Sequence, residues 1–342
     1  MSLPSLRQLL RAVLTHSSAA RRLAVDLASM VFRAQARARA ELVHAPFTLY
    51  NIELTNHCPM RCVMCPRTHA MTRPKGVMEF ALFREVVDQL VAQAPKGLLA
   101  SQPVWLHHFG ESLLHPELDR CVAYAESRGL RTGLSLNPLL LSEDKGRALL
   151  KAGVSTLYCS LDGHDDASFA AIRGVKEAYE SSAANLSRFL EIRQELGAKA
   201  EVFVSIIDFE LNAASVELAR RRWKDVPGVR AVYVKPFTPW DGSVEAISEI
   251  SGNASAAVLD FTSKGLVTCP YPWRSMTVAY NGDVLPCCFD FDGKYVLGNM
   301  GSASLAEIWN SPRMIALRRE FLANRVCNPL CARCGELRTI TI

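Results

Sequence analysis

The chain has 342 residues, eleven of them cysteine, and a net charge of +5. That length suits one large domain plus an appendage, with a substantial core. The charge is too small and too diffuse for a nucleic-acid surface, which wants a clustered basic face, and no run of about 18 apolar residues is present to span a bilayer. The cysteines are too few for a disulfide scaffold in so long a chain and too many for chance, so they point to metal ligation in a reducing, cytoplasmic compartment.

Taken from the N-terminus, Leu9, Leu10, Val13, Leu14, Leu23, Leu27, Met30 and Val31 recur at roughly helical spacing among Arg7, Arg11, Arg21, Arg22, Arg33, Arg37 and Arg39. Residues 1–45 therefore read as a basic amphipathic helical extension. It is expected to pack on the main domain, with contact to a membrane surface as the other use of such a face. From residue 46 to 240 strand and helix patterns alternate. Strands are expected at Thr48–Leu54, Val104–Phe109, Arg131–Leu136, Thr156–Leu161, Glu201–Ile207 and Ala231–Phe237. Helices fall between them at Glu79–Gln93, Pro116–Arg128, Glu143–Ala152, Ala178–Leu196 and Ala213–Lys224. Six strands interleaved with helices predict a parallel sheet covered by helices, hence an α/β fold with its ligand at the carboxyl ends of the strands. Alternation along the fourth strand puts Tyr158, Ser160 and Asp162 on the inward face, and Cys159 and Leu161 on the other.

The first strand runs straight into Cys58-Pro-Met-Arg-Cys62-Val-Met-Cys65, three soft thiolates on one short loop. Such ligands suit iron-sulfur clusters or zinc. A structural zinc needs a fourth ligand, and neither His57 nor His69 stands at a zinc-finger spacing; three thiolates on a cubane leave one iron open. A zinc knuckle and a redox C-x-x-C remain the alternatives. Farther on, residues 241–264 are rich in Ser, Gly, Ala and Asn, the composition of a linker or covering loop. Residues 241–342 hold six more cysteines. Cys269 comes first; Asn281-Gly282, between Met276–Tyr280 and Val284–Leu285, signals a hairpin that leads into Cys287 and Cys288. Helical runs at Leu305–Trp309 and Arg313–Leu322 follow, and then Cys327, Cys331 and Cys334.

The Cys58 loop, placed after a first strand, resembles the cluster loop of the radical S-adenosylmethionine (SAM) superfamily. That resemblance implies a partial (β/α)6 barrel and a 4Fe-4S cluster on Cys58, Cys62 and Cys65, whose open iron is chelated by SAM. Reduction of the cluster then cleaves SAM to a 5'-deoxyadenosyl radical. Gly110-Glu111-Ser112 resembles the family's Gly-Glu-Pro type motif that holds the SAM ammonium, with Ser112 in place of proline. Ser135-Leu136-Asn137-Pro138 resembles the strand end that meets the ribose. In Ser160-Leu161-Asp162-Gly163 and Arg173-Gly174, the resemblance assigns Ser160 to the ribose and Arg173 to the SAM carboxylate.

The C-terminal pattern, with Gly282-x4-Cys287 and a final C-x2-C, resembles the small α+β SPASM/twitch domain. It implies one auxiliary 4Fe-4S cluster on Cys269, Cys287, Cys331 and Cys334, as in twitch-type aminocyclitol dehydrogenases; zinc is the rival occupant of these thiolates. Cys288 and Cys327 are then spare. The expected activity is hydrogen-atom abstraction from a small polar molecule of sugar, aminocyclitol or nucleoside type, leading to oxidation or epimerisation, with a flavodoxin- or ferredoxin-type reductant as electron donor. A peptide substrate is the second reading, because residues 1–45 are too short and too helical for the winged-helix leader-binding domain such enzymes often carry. A non-catalytic iron-sulfur protein is the third, kept by Ser112 and Pro138. Tyr158, Asp162, Trp240 and Asp241 are candidates to line the site, and the pattern assigns no catalytic base or hydrogen donor.

Overall fold

In the computed structural model, the described residues are 20, 23–27, 29–30, 39–250, 258–260, 269–337 and 339–341. Most of the expected N-terminal extension and the middle of the expected linker lie outside them. Six strands run parallel and pair in chain order: β1 (Thr48–Ile52), β2 (Val104–Trp105), β3 (Thr132–Leu136), β4 (Thr156–Ser160), β5 (Glu201–Asp208) and β6 (Val229–Pro236). Parallel neighbours need long crossovers, supplied by helices α1 (Phe80–Gln93), α2 (Leu118–Ser127), α3 (Glu143–Lys151), the pair α4 (Asp166–Arg173) and α5 (Tyr179–Glu195), and α6 (Ala213–Trp223).

The helices form for local reasons and face the sheet by their spacing. In α1 the buried residues are Phe83, Val86, Val87 and Leu90, one stripe at three- and four-residue intervals. Helix α4 starts on a capping box, in which the Asp165 carboxylate accepts from the Ser168 amide and Ser168 answers to the Asp165 backbone. Under the helices Leu157, Cys159, Val202 and Val204 are fully buried, and burial pushes the Cys159 thiol up to about 12.

The barrel stays open because β6 does not return to β1. The other edge of β1 is taken, again in parallel, by β8 (Ser275–Val278). A hairpin carries the sheet on through β9 (Asp283–Leu285) to β10 (Gly298–Asn299), making nine strands in one sheet. A separate two-stranded ribbon pairs β7 (Val258–Asp260), inside the expected linker, with β11 (Thr339–Thr341). Helices α7 (Leu305–Trp309) and α8 (Pro312–Leu322) follow the hairpin.

The second strand is shorter than its apolar run suggests. After Trp105 the chain keeps one ladder bond, Leu106 N to Gly133 O at 2.8 Å. It then turns away, because the Phe109 amide donates to the Glu53 carboxylate and the Ser112 hydroxyl donates to Leu106 O. Side-chain acceptors on neighbouring segments have taken over from the ladder.

Candidate active site

Residues 58–65 leave β1 and lie against the end of α4. The Arg61 and Val63 amides donate to the carbonyls of Arg173 and Ile172 at 3.1 and 3.0 Å. Gly174 ends α4 with φ +71°, and a Cβ there would stand 2.7 Å from Arg61 O; only glycine permits that approach. The loop is closed on itself by Cys65 N to Cys62 O, by His69 Nε2 donating to Val63 O and by Arg67 donating to Met60 O. Trp240 covers it from the far side, its indole N–H donating to Met64 O at 2.8 Å. All eleven cysteines are free, and burial pushes Cys58 up to about 11 and Cys65 to about 12.

A cavity of about 280 Å³ opens at the carboxyl ends of the strands. Its walls bring together Cys58, Cys62, Cys65, Gly110, Glu111, Asn137, Ser160 and Arg173. Gly110 is there because a Cβ would stand 1.9 Å from Thr55 O. Both oxygens of Glu111 accept backbone amides, Leu113 N at 3.1 Å and Asn137 N at 2.8 Å, yet burial outweighs those bonds and raises the carboxyl to about 7. The Asn137 carbonyl oxygen accepts from Leu139 N, and its amide reaches the Met60 sulfur. Arg173 pairs with fully buried Asp162 and donates to Cys62 Sγ at 3.5 Å. Its Nε, also buried, has no acceptor; neither has Thr238 Oγ1 on the same cavity.

Other expected residues stand elsewhere. The Ser112 hydroxyl turns into the fold to Leu106 O. Asp162 lies beneath Arg173, its other oxygen held by the Ile207 amide and the Asn212 side chain. Asp241 is paired with Lys294. Tyr158 is in the aromatic layer beneath Lys235; of these residues only Trp240 lies on the cavity wall. Reading the strands by their apolar runs misses three lining residues: His107, His108 and Lys235. His107 accepts from Ser135 N through Nδ1, which leaves its proton on Nε2, and burial drives it down to about 3. His108 donates from Nε2 to Cys288 O at 2.8 Å. Burial lowers Lys235 to about 8, partly offset by Asp162. The two-residue alternation that places Ser160 inward applies equally to Tyr233 and Lys235 on β6, and was the available signal.

Among the C-terminal cysteines, the Cys287 thiol is pushed well above its usual range by burial, then by Cys288, Cys269 and Cys331. Cys269 in turn feels Cys331 and Cys334. Cys288 points to the Tyr271 hydroxyl at 3.7 Å, and Cys327 is exposed. Gly242, φ +71°, lies where a Cβ would meet Arg333 O at 2.2 Å, so the segment leaving β6 is laid directly on the terminal C-x2-C turn. Among the described residues no three metal-binding side chains already surround one point. The fit to iron-sulfur groups therefore rests on the donor chemistry: three free thiols on one loop around a cavity and four more in the C-terminal part; the Arg173 Nε–H and the Thr238 hydroxyl, both without an acceptor, suit a carboxylate.

Comparison with known proteins agrees with that donor set. Residues 52–221 match the radical SAM superfamily, and residues 269–335 match SPASM, an iron-sulfur cluster-binding domain. The chain belongs to the radical SAM superfamily and is an enzyme using SAM and a 4Fe-4S cluster. Within it, the chain falls in the SPASM group, with auxiliary iron-sulfur in its C-terminal part. It is 27% identical over 317 residues to the tungsten-containing aldehyde ferredoxin oxidoreductase cofactor-modifying protein of Pyrococcus furiosus, covering 83% of this chain and 86% of that one. It is 23% identical over 301 residues to the S-adenosyl-L-methionine-dependent 2-deoxy-scyllo-inosamine dehydrogenase of Niallia circulans, covering 86% and 95%. Among solved structures, Streptococcus suis SuiB bound to precursor peptide SuiA superposes with a TM-score of 0.59 at 14% identity, covering 85% of this chain and 70% of that one. These relatives act on different kinds of substrate. Among the described residues no helix is long and apolar enough to cross a membrane.

Proposed function

We propose that Cys58, Cys62 and Cys65 hold the SAM-binding cluster and that Gly110, Glu111, Asn137, Ser160 and Arg173 hold SAM, in a barrel of residues 46–240. Cys269, Cys287, Cys331 and Cys334 then hold one auxiliary cluster in residues 241–342. The observation that carries this reading is the convergence of all eight of the barrel's named residues on one cavity at the strand ends. Bound there, SAM and the reduced cluster supply hydrogen-atom abstraction from an unactivated carbon.

The protein's own groups do the rest. Arg173, fixed by Asp162, turns its unsatisfied Nε toward a carboxylate. Gly110 leaves the backbone open, and Glu111, anchored by two amides, keeps lone pairs for an ammonium. The apolar wall of Met60, Met64, Phe237 and Trp240 keeps water out. The substrate is a small polar molecule of sugar, aminocyclitol or nucleoside type, a reading supported by the likeness along most of the chain to the 2-deoxy-scyllo-inosamine dehydrogenase; its oxidation or epimerisation draws on a flavodoxin- or ferredoxin-type reductant.

The test is anaerobic. Protein with reconstituted clusters, dithionite and SAM should release 5'-deoxyadenosine. Replacing Cys58, Cys62 and Cys65 together by Ala should abolish that release while iron and sulfide of the auxiliary site persist. Release by the triple variant, or a protein that takes up only zinc, sinks the reading.

A further inference from the structure

Below the cavity the inward faces of the strands carry a floor of aromatic rings. Trp105 on β2 lies across Gly133 on β3, where a Cβ would stand 2.6 Å from the indole, and so reaches Tyr158 on β4 with centroids 4.9 Å apart. Tyr158 stacks on Tyr233 of β6 at 5.3 Å and 28°. Tyr233 is 45% exposed. Two residues on, Lys235 projects from the same side of β6, its ammonium 5.1 Å above the Tyr158 ring and on the cavity wall.

That ring is the only partner of Lys235 among the described residues; it has no hydrogen bond or ion pair there. Of the charged groups around it, only Asp162 helps, and in part. Asp162 is consumed by Arg173, Ile207 N and Asn212; Arg173 is a like charge; His107 is neutral. A partly buried cation with no hydrogen-bonded counter-ion gains from an anion brought to it. Aromatic floors take flat rings or the C–H faces of saturated ones.

We propose that the molecule acted on is a small acid, its carboxylate or phosphate seated on Lys235 at the cavity wall and a flat or C–H-rich ring face turned to Tyr233, the one exposed ring of the stack. This rests on the radical SAM reading, in which the SAM carboxylate belongs to Arg173 and leaves Lys235 for the substrate.

The anion has two sources, substrate and SAM, and the experiment separates them. Reconstituted anaerobic protein is saturated with S-adenosylhomocysteine, then pulsed with N-hydroxysuccinimidyl acetate, and acetylation of Lys235 is read by peptide mass spectrometry. Benzoate and glucose 6-phosphate are compared with benzamide and glucose at equal concentration. At least one acid slows Lys235 acetylation several-fold, and its neutral partner does not. Titrated by tryptophan fluorescence, that acid binds about tenfold or more weakly to Lys235→Met and near normally to Lys235→Arg, while S-adenosylhomocysteine affinity is unchanged in both. The proposal is overturned if neither acid protects, if the neutral molecules protect as well, or if Lys235→Met loses the nucleoside, which would give the lysine to the cofactor. Absence of 5'-deoxyadenosine release alongside intact protection would instead overturn the radical reading alone.

Discussion

Glu111 is a carboxyl that the fold prefers neutral. Burial raises it from 4.5 to about 7 despite two backbone donors. A raised folded pKa means that its stabilising share is complete below the unfolded value and is lost as pH climbs through about 7. Between pH 5 and 8 the wild-type protein should therefore lose up to about 3 kcal/mol relative to Glu111→Gln, which has nothing to titrate there. Thermal melts of both proteins across that range check it; a constant difference in melting temperature would refute it. That Glu111 and the three thiols come together on one cavity was foreseeable from the sequence because spacing along a single loop or turn survives folding unchanged. Lys235 and His107 were not. Each is one polar residue at the end of an apolar strand, and its meaning comes from what five other strands place around it. Ser112 shows the converse: its position in the motif is local, but the direction of its hydroxyl is set by Leu106 O.

The cluster loop and α4 behave as one element, since the loop's amides finish the helix's last carbonyls. Gly174→Ala should strain both, through a left-handed φ worth about 1 kcal/mol for alanine and through a Cβ against Arg61 O. The expected outcome is reduced iron retention at the SAM-binding site with an unchanged far-ultraviolet circular dichroism spectrum; full iron content after gel filtration would count against it. Likewise Gly133→Val should push the Trp105 indole off Tyr158, read as a shifted and more exposed tryptophan emission. Helices such as α1 and α5 were readable to within a residue at each end because their apolar periods are long. The second strand was overrun because Val104–Leu106 and Phe109 read as one apolar strand across His107 and His108, and only the distant Glu53 carboxylate and Ser112 hydroxyl end its ladder. The hairpin at Asn281-Gly282 was legible; that its first strand docks in parallel on β1 was not, since no local residue encodes a pairing across two hundred positions.

That docking makes the barrel and the C-terminal part share a single buried ion pair. Glu53, fully enclosed just past β1, pairs with Arg73 and accepts from the Phe109 and Tyr280 amides at 3.3 Å each. Arg73 in turn donates through Nε to Phe291 O at 2.7 Å. Burial by itself would raise Glu53, but the His108 ring, with Nδ1 3.5 Å away, and the hydrogen bonds from Arg73 win and hold it at about 2. Its contribution is thus present above 4.5 and lost only as pH falls through about 2. Removing the carboxylate leaves a guanidinium that is 12% exposed without its counter-ion, a loss of about 3–5 kcal/mol. Because residues from both parts are tied to this pair, Glu53→Ala should lower the stability of both together. Calorimetry of the wild type should show one transition and of the variant one transition several degrees lower. If the variant instead splits into two transitions, with one at the wild-type temperature, the two parts fold independently and the shared ion pair does not couple them.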